Sequence, residues 1–595
     1  MPENIDGQLD QRSLLLGFAI CGCIGFAFGL SNSTWQVTVE TGQVLSGIVE
    51  YPKDNPFYMY HIKVFTIVNH FSSLLLRVGI SERVASIIIS GLLGLISFEA
   101  IGTLIFTISR NVFLSIIGVM LIYLADFTGD GVVYPIWLMG QSHTYGILGT
   151  SFAVLSVGLL GCRAYRASLF CIALAPCVHP SIGLWIALVV AVCALLDWRF
   201  SSQVLMKYYP YFLAGLLITA LSAAYQIHLM VNLPKIDLHI KEQYLNAFIK
   251  YWDSHRIAFY WQANSQNRHF PWGIIYCLYS IFASLIGQKL FKENRSIVMV
   301  FRIVTLSGIL SLLLGFLTQL PQERVPSILL IFMPGRYVNI NNLMLVALLY
   351  GILTADSNKP YTANYKVFAL LVISSFFSRH DEVKVVVLAI LLIWVAYLTY
   401  GKPALDRYKV QRSQKGYAYL TLICMVLYLT INLPREKYFT NFIWSPEPLE
   451  DRTNNKFYST ISKRDGLLLI THYSSLIQLK TRRAILADMA SPNFFTYAPE
   501  SAIVFNRILE QVYGVDLLTP PPAHLRHLEI RPELYKALWE SRDLLKWQNI
   551  RQIFSVTDVL APIDWNLKLP IIAKDKTAIL YEIPPSTKKY FISDM

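Results

Sequence analysis

The first three quarters of the chain alternate between long apolar runs and polar connections. A run of about 15 to 22 apolar residues can cross a bilayer as a helix, and shorter runs can form bent spans. Thirteen such runs occur, at 13–30, 84–108, 112–125, 146–161, 167–178, 181–196, 208–231, 272–290, 297–318, 337–353, 365–378, 384–400 and 417–433. The pattern predicts a polytopic α-helical membrane bundle of about 11–13 transmembrane helices over residues 1–433.

The character of the chain changes after Leu433, and residues 434–595 predict an extramembrane α/β domain. Helical periodicity marks Pro499–Tyr513 and Pro532–Trp547. Strands are predicted over Gly466–Ser475, which ends in a turn at THYSS, and over Arg482–Asp488, Arg551–Val556 and Thr577–Ile583. Neither a Walker A motif nor GxGxxG occurs in the sequence, so no nucleotide site is predicted.

Composition supports the membrane assignment. Mean hydropathy is +0.45, with 54% hydrophobic and only 15% charged residues, which is too apolar for a soluble globular protein. The net charge of +13 comes from short basic clusters between apolar runs. Such clusters mark cytoplasmic connections, so the charge does not indicate a nucleic-acid partner. The eight cysteines lie in or beside apolar runs and predict no disulfide framework.

The basic connections also predict an orientation. If they are cytoplasmic, the N-terminus is cytoplasmic as well, and the outside loops are 31–83, 126–145, 232–271 and 318–336. Residues 434–595 then form an outer domain. Compact loops and an outer domain without cysteine favour a bacterial inner membrane with a periplasmic C-terminal domain, although an endoplasmic reticulum protein would show the same charge pattern.

Ionisable residues collect on the predicted outer face. They include Glu40, Asp126, Asp130, His179, His255, Arg256 and Arg336. Polar groups that converge at one rim of a helical bundle suggest a single site, whereas each residue taken alone could simply be solvated. Within the first loop, His61–Arg77 has the spacing of a helix lying in the membrane interface, and Asp54 in YPKDNP indicates a turn.

Each candidate has a functional and a structural interpretation. Asp126 could be a second carboxylate or, with Asp130, a metal ligand, and it could equally cap a helix. His179 stands between two short apolar runs, where a structural histidine is the commoner case. His255 and Arg256 lie among aromatic residues, which suits either a sugar or phosphate site or an interfacial aromatic belt. Arg336 at the mouth of a span could hold a lipid phosphate.

This arrangement resembles the GT-C superfamily of membrane glycosyltransferases. The shared features are the multispan bundle, acidic residues in the first two outside loops, an interface helix in the first loop, an arginine near a late span and an outer α/β domain. The resemblance implies a polyprenyl-phosphate-linked sugar donor and an acceptor hydroxyl on a glycan, lipid or protein. It makes Glu40 the catalytic base and Asp126 the second carboxylate, and places His179, His255, Arg256 and Arg336 on the substrate or phosphate side. A divalent metal could assist.

Two features depart from that family. The C-terminal domain has no WWD-type motif, which argues against an asparagine-glycosylating oligosaccharyltransferase, and the first-loop acid is Glu40 where aspartate is commoner. Two other functions fit the same sequence. One is a transporter or flippase of lipid-linked glycan, although the chain shows no clear internal repeat. The other is a noncatalytic scaffold of an envelope assembly complex.

Overall fold

The computed structural model describes residues 11–124, 144–253, 256, 269–320, 324–326, 329–330, 332–355, 362–377, 381–396, 449–471, 476–489, 491–522 and 529–586. The N-terminal part of the chain is helical. Its helices are α1 (Gln11–Ser31), α2 (Val37–Ser46), α3 (Pro56–Lys63), α4 (Ile67–Arg77), α5 (Glu82–Ser109), α6 (Val112–Leu124), α7 (Thr144–Gly161), α8 (Tyr165–Val178), α9 (Pro180–Leu196), α10 (Trp198–Met230), α11 (Leu238–Tyr251), α12 (His269–Leu290), α13 (Arg295–Leu317), α14 (Gly335–Thr354), α15 (Thr362–Phe377) and α16 (Asp381–Ala396).

Among the described residues, six helices are long and apolar enough to cross a membrane. They are α5, α7, α10, α12 from Gly273, α13 and α14. Shorter apolar helices lie within α1, α6, α8, α9 and α15. Every predicted run from 13–30 to 384–400 coincides with a helix, whereas 417–433 lies outside the described residues. One boundary was wrong, because α10 begins at Trp198 and includes the stretch predicted as a basic loop after 196.

The contact between α1 and α5 depends on glycine. A methyl group added at Gly94 would lie 2.1 Å from the carbonyl oxygen of Gly25, and one added at Gly29 would lie 2.1 Å from that of Ser90. Both distances are far below van der Waals contact. Small residues at this spacing let two apolar helices approach closely, which is the main source of helix association in a bilayer.

The first loop contains three helices, α2 to α4. The predicted interface helix is divided, since the chain leaves the helical conformation between Lys63 and Ile67. Thr66 caps α4, and its hydroxyl donates to the Val178 backbone oxygen at 2.7 Å. The polar side of α4 faces the protein, while Phe71 and Leu74 are exposed. An outward apolar face is what a helix at a membrane surface requires.

The C-terminal domain is a five-stranded mixed sheet with helices. Its elements are α17 (Lys456–Ser462), β1 (Leu467–Ile470), α18 (Ile477–Thr481), β2 (Ile485–Ala487), α19 (Pro492–Phe495), α20 (Ala502–Ile508), α21 (Pro532–Ser541), α22 (Leu544–Phe554), β3 (Val556–Pro562), β4 (Ile571–Lys574) and β5 (Ala578–Glu582). The strand order is β2-β1-β3-β5-β4, with β1 parallel to β2 and β3, and β5 antiparallel to β3 and β4. Helices alternate with the parallel strands, as an α/β arrangement requires.

The four predicted strands of this domain can be compared with the structure. The strands at 466–475 and 482–488 are confirmed as the shorter β1 and β2, and Thr577–Ile583 contains β5. Arg551–Val556 was wrong, because α22 continues to Phe554 and β3 starts only at Val556. Asp543 caps α22 by accepting from the Lys546 backbone N–H at 2.8 Å. The predicted turn at 472–475 lies outside the described residues.

The first loop joins the bundle to the C-terminal domain. Leu449, Leu476 and Leu479 pack into one buried cluster with Trp35 and Val39. Two sets of ion pairs border this contact. Glu82 at the start of α5 pairs with Arg482 and, at 3.6 Å, with Arg452. Glu500 pairs with Lys63 of α3 and, at 2.9 Å, with Lys241 of α11.

Candidate functional site

Glu40 lies in the first turn of α2, where that helix packs on α18 of the C-terminal domain. The Leu479 backbone N–H donates to its carboxyl group. The Gln478 side chain donates to its backbone oxygen at 3.1 Å. The predicted catalytic acid is therefore held by the C-terminal domain as well as by its own helix.

The surroundings of Glu40 favour its protonated form. Burial is the largest effect and the negative charge of Asp488 is the second; together they raise the pKa of Glu40 from 4.5 to about 8, against the opposing effects of the Leu479 N–H and Lys480. Glu40 is enclosed by protein yet keeps part of its side-chain surface accessible. A carboxyl group with a pKa near neutrality and an accessible surface has the properties of a general acid or base.

Asp488 directly follows β2, at the carboxyl end of a parallel strand. Its backbone N–H donates to the Ser491 hydroxyl at 2.8 Å, and that hydroxyl donates back to the Asp488 carboxylate at 3.0 Å. The side chain is 6% exposed. Two carboxyl groups that face each other in a buried place cannot both ionise easily, so Asp488 keeps a proton on Glu40.

A group of tyrosines continues the site from Glu40 toward α14. The Tyr145 hydroxyl lies 3.1 Å from that of Thr41, donates to Asn69 at 3.2 Å, and is within electrostatic reach of both Glu40 and Tyr497. Tyr497 retains 36% of its surface although protein surrounds it. Glu40 and Tyr497 thus both keep part of their surface accessible.

Arg336 and Arg256 provide the positive charge of the site. Arg336, in the first turn of α14, hydrogen-bonds the Tyr497 hydroxyl and is 5% exposed. Burial raises the pKa of Tyr497, but the charges of Arg336 and Arg256 outweigh burial, so that the pKa falls below its ordinary value. The two arginines make the local potential at this phenol positive, and a positive potential attracts a phosphate or another oxyanion.

Arg256 differs from Arg336 in its partners. It pairs with Asp253 three residues earlier, and its guanidinium donates to the Thr496 hydroxyl at 2.6 Å. Both members of the pair are almost fully buried. Arg256 therefore lies at the predicted site, but Asp253 largely balances its charge. Its bond to Thr496 holds the chain after α11 against the segment that carries Tyr497.

His179 has a structural role. It is the residue before α9 and caps that helix, since its ring nitrogen lies 3.3 Å from the Ser181 hydroxyl and 3.5 Å from the Ile182 backbone N–H. Ser181 in turn hydrogen-bonds Tyr337, the residue after Arg336. His179 thus supports the rim of the site through neighbours, and the interpretation as a structural histidine fits better than direct substrate binding.

His61, at the end of the first polar stretch, is a neutral buried histidine. Burial lowers its pKa from 6.5 to about 3, with a smaller opposing effect from Gln478. Its Nδ1 lies 2.9 Å from the Thr41 hydroxyl. Since Thr41 also contacts Tyr145, His61 fixes the residue next to Glu40 without carrying charge itself.

Three predicted site residues, Asp126, Asp130 and His255, lie outside the described residues. Over the described ranges, no three His, Cys, Asp or Glu side chains come together in a group that could hold a metal ion. The proposals of a second carboxylate at Asp126 and of a metal bound with Asp130 therefore stay predictions.

Sequence reasoning missed Asp488, Tyr145 and Tyr497. Asp488 carried one usable signal, because it ends a predicted strand in RRAILAD, and ligands of α/β domains gather at the carboxyl ends of strands. The tyrosines carried none, since the chain contains 34 of them. No protein-family model matches the chain, and no curated protein or solved structure is significantly similar to it.

Proposed function

We propose that this protein is a GT-C-like glycosyltransferase of about 11–13 transmembrane helices. It transfers a sugar from a polyprenyl-phosphate-linked donor to a hydroxyl of a glycan, lipid or protein acceptor at the outer face of a bacterial inner membrane. The observation that carries the proposal is the pairing of a carboxyl group of raised pKa, Glu40, with a positively charged region around Arg336 across the two tyrosines.

Glu40 is the base of this reaction. The acceptor oxygen forms a bond to the anomeric carbon while the bond from that carbon to the phosphate oxygen breaks, and the acceptor proton passes to the Glu40 carboxylate. A base is most effective when its pKa lies close to the operating pH, and the value of about 8 meets this condition. Asp488 contributes by raising the proton affinity of Glu40.

Arg336 stabilises the negative charge on the leaving group. The departing polyprenyl phosphate carries the electron pair of the broken bond, and its developing charge needs a fixed cation or hydrogen-bond donor. The Arg336 guanidinium stands at the start of a membrane helix, and Tyr497 beside it can donate through its hydroxyl. Arginine suits this role because its planar fork binds two phosphate oxygens at once.

The test is a transfer assay with purified protein in proteoliposomes. Polyprenyl-phosphate sugars extracted from membranes are supplied together with a membrane glycolipid fraction, and free polyprenyl phosphate is measured by mass spectrometry. Glu40→Gln should reduce its formation by about 10²- to 10⁴-fold, the usual contribution of a general base. Glu50→Gln is the matched control, because Glu50 is exposed and lies ten positions later in the same loop.

The outcomes separate the three functions. Normal release by the Glu40→Gln variant would remove Glu40 from the mechanism. Movement of intact lipid-linked sugar across the bilayer, with no release of polyprenyl phosphate, would instead identify a transporter. An absence of both activities, with every extracted donor and acceptor fraction, would contradict the transferase and favour a scaffold.

A further inference from the structure

A half-open crevice lies among α1, α5 and α6, away from the site described above. About 320 Å³ of space in and around it is not filled by protein atoms, and part of that space is open at its mouth. Its walls are mainly apolar and include Phe18, Phe106, Val112 and Ile116. One wall carries the carboxyl group of Glu99.

Glu99 lies inside the membrane-spanning helix α5, about 25 Å along the axis from Glu82, the residue that meets the C-terminal domain. Among the described residues, none donates a hydrogen bond to it or forms an ion pair with it. A methyl group added at Gly22 would lie 2.8 Å from its carboxyl oxygen, so the glycine gives the carboxyl group its room beside α1. Among the described residues, the thiols of Cys21 and Cys171 are within electrostatic reach of Glu99.

An unpaired carboxylate in an apolar crevice of a membrane helix costs several kcal/mol. The neutral acid is therefore the stable form, and it has both a donor and an acceptor to offer. The hydroxyl groups on the same walls are already used, since Thr103 donates to the Ala100 carbonyl at 3.0 Å and Ser115 to the Asn111 carbonyl at 2.7 Å. Their hydrogens are not available to a ligand, whereas Glu99 keeps both its donor and its acceptor.

The surface around the crevice is apolar and exposed. Leu16, Ile20 and Phe113 are 59%, 38% and 69% exposed. Exposed side chains of this kind on a membrane helix bundle face lipid, so the crevice can be entered from the hydrocarbon region. A ligand that enters there must itself be largely apolar.

We infer that the crevice binds a long-chain amphiphile whose alkyl chain lies against the apolar walls and whose head group donates a hydrogen bond to Glu99. The head can be an alcohol or an amine, because both donate to a carboxyl oxygen. This site is separate from the Glu40 region and does not depend on the proposed transferase activity.

The test uses dicyclohexylcarbodiimide on the full protein in detergent. This apolar reagent adds across the protonated carboxyl group and rearranges to an N-acylurea, so that no leaving group is released, and peptide mass spectrometry locates the adduct. We expect modification at Glu99 and its loss in the Glu99→Gln variant. Dodecanol should slow the modification at least about tenfold, whereas dodecane should slow it less than twofold.

Three results would overturn the inference. Equal protection by dodecane would mean that the crevice binds any hydrocarbon and that Glu99 contributes nothing. No protection by dodecanol or dodecane would mean that no chain occupies the crevice. No modification of Glu99 in folded wild-type protein, when detergent-denatured protein is modified, would mean that the carboxyl group is not accessible from the apolar phase. All three of these results are obtained with wild-type protein, so misfolding of the Glu99→Gln variant cannot obscure them.

Discussion

Two kinds of carboxyl group stand at the contact between the first loop and the C-terminal domain. Glu82 and Glu500 each face two cations. Glu40, which precedes both in the chain and lies on α2, faces another carboxyl group, that of Asp488. Burial acts on Glu500 as well, but its two lysines outweigh it and lower its pKa. Burial and the charge of Asp488 raise the pKa of Glu40 to about 8.

Glu82 and Glu500 stabilise the contact between the domains, whereas burial of Glu40 lowers the stability of the folded protein. A paired carboxylate stabilises the folded protein, whereas a carboxyl group kept from ionising destabilises it above its ordinary pKa. Selection for stability alone would replace the second kind with a neutral side chain. Buried, like-charged and accessible carboxyl groups are typical of functional sites, and this contrast is the main physical reason to place the reaction at Glu40.

The largest expected effect is that substitution of Glu40 impairs activity but not stability, whereas substitution of Glu82 impairs stability but not activity. Glu40→Gln should lower transfer by about 10²- to 10⁴-fold and leave the unfolding midpoint unchanged or higher at pH 8. Glu82→Gln should leave transfer per folded molecule near the wild-type value and lower the free energy of unfolding by about 2 kcal/mol, because it weakens charge-assisted hydrogen bonds. Activity and thermal unfolding are measured on the same samples.

The controls for this pair follow from exposure. Glu50→Gln should change neither quantity, since Glu50 is exposed in the first loop. A loss of transfer in folded Glu82→Gln protein equal to that of Glu40→Gln would show that the contact as a whole, and not Glu40, is what activity requires.

A smaller effect should distinguish the two arginines that hold Glu82. Arg482 hydrogen-bonds one carboxylate oxygen through its Nε, whereas Arg452 lies 3.6 Å from the other. Arg482→Gln should therefore cost about 1.5–3 kcal/mol, the range for a hydrogen bond to a charged group. Arg452→Gln should cost less than about 1 kcal/mol, as expected of a loose, partly exposed ion pair. Thermal unfolding in detergent measures both, and equal losses would contradict the geometric difference.

The pH dependence of stability should carry the signature of Glu40. Its folded pKa of about 8 exceeds the ordinary 4.5, so the folded protein binds more protons than the unfolded chain between these values. This group's contribution to stability therefore declines as pH rises from about 4.5 to 8 and is constant above. Glu40→Gln should remove that part of the decline. Unfolding midpoints of wild type and variant that run parallel from pH 5 to 8 would refute the raised pKa.

The membrane part of the fold was predictable because long apolar runs have few alternatives. Helices occur at the predicted runs from 13–30 to 384–400, although the structure shows six helices long and apolar enough to span a membrane. Boundaries were harder to predict. Helix α10 starts at Trp198, since the polar stretch before Pro210 contains no helix breaker and could continue the helix.

The sequence predicted Glu40 as a site residue but did not predict the residues of the C-terminal domain that accompany it. Glu40 stood out as an acid in a long loop beside the first apolar run. Asp488 and Tyr497 are separated from it by more than four hundred positions, and the docking of α18 on α2 brings the C-terminal domain, with Asp488, against Glu40. A single sequence contains no signal for such a contact. His179 was easier to interpret, because its contact is local. It caps α9, which starts at the next residue, Pro180, and this agrees with the structural role that the sequence favoured.

The smallest predicted effect is the most specific for the carboxyl pair. In the wild type, kcat/KM should rise about tenfold per pH unit toward a plateau near pH 8, because the base must be ionised. Asp488→Asn removes the neighbouring charge and should move this limb to lower pH. Burial is the larger cause, so the limb should stay above 4.5. Ser491→Ala, which changes the hydrogen bonds of Asp488 but not its charge, is the control and should move the limb less. An unchanged limb in Asp488→Asn would show that Asp488 does not act on Glu40, while a limb at 4.5 would show that charge, and not burial, sets its pKa.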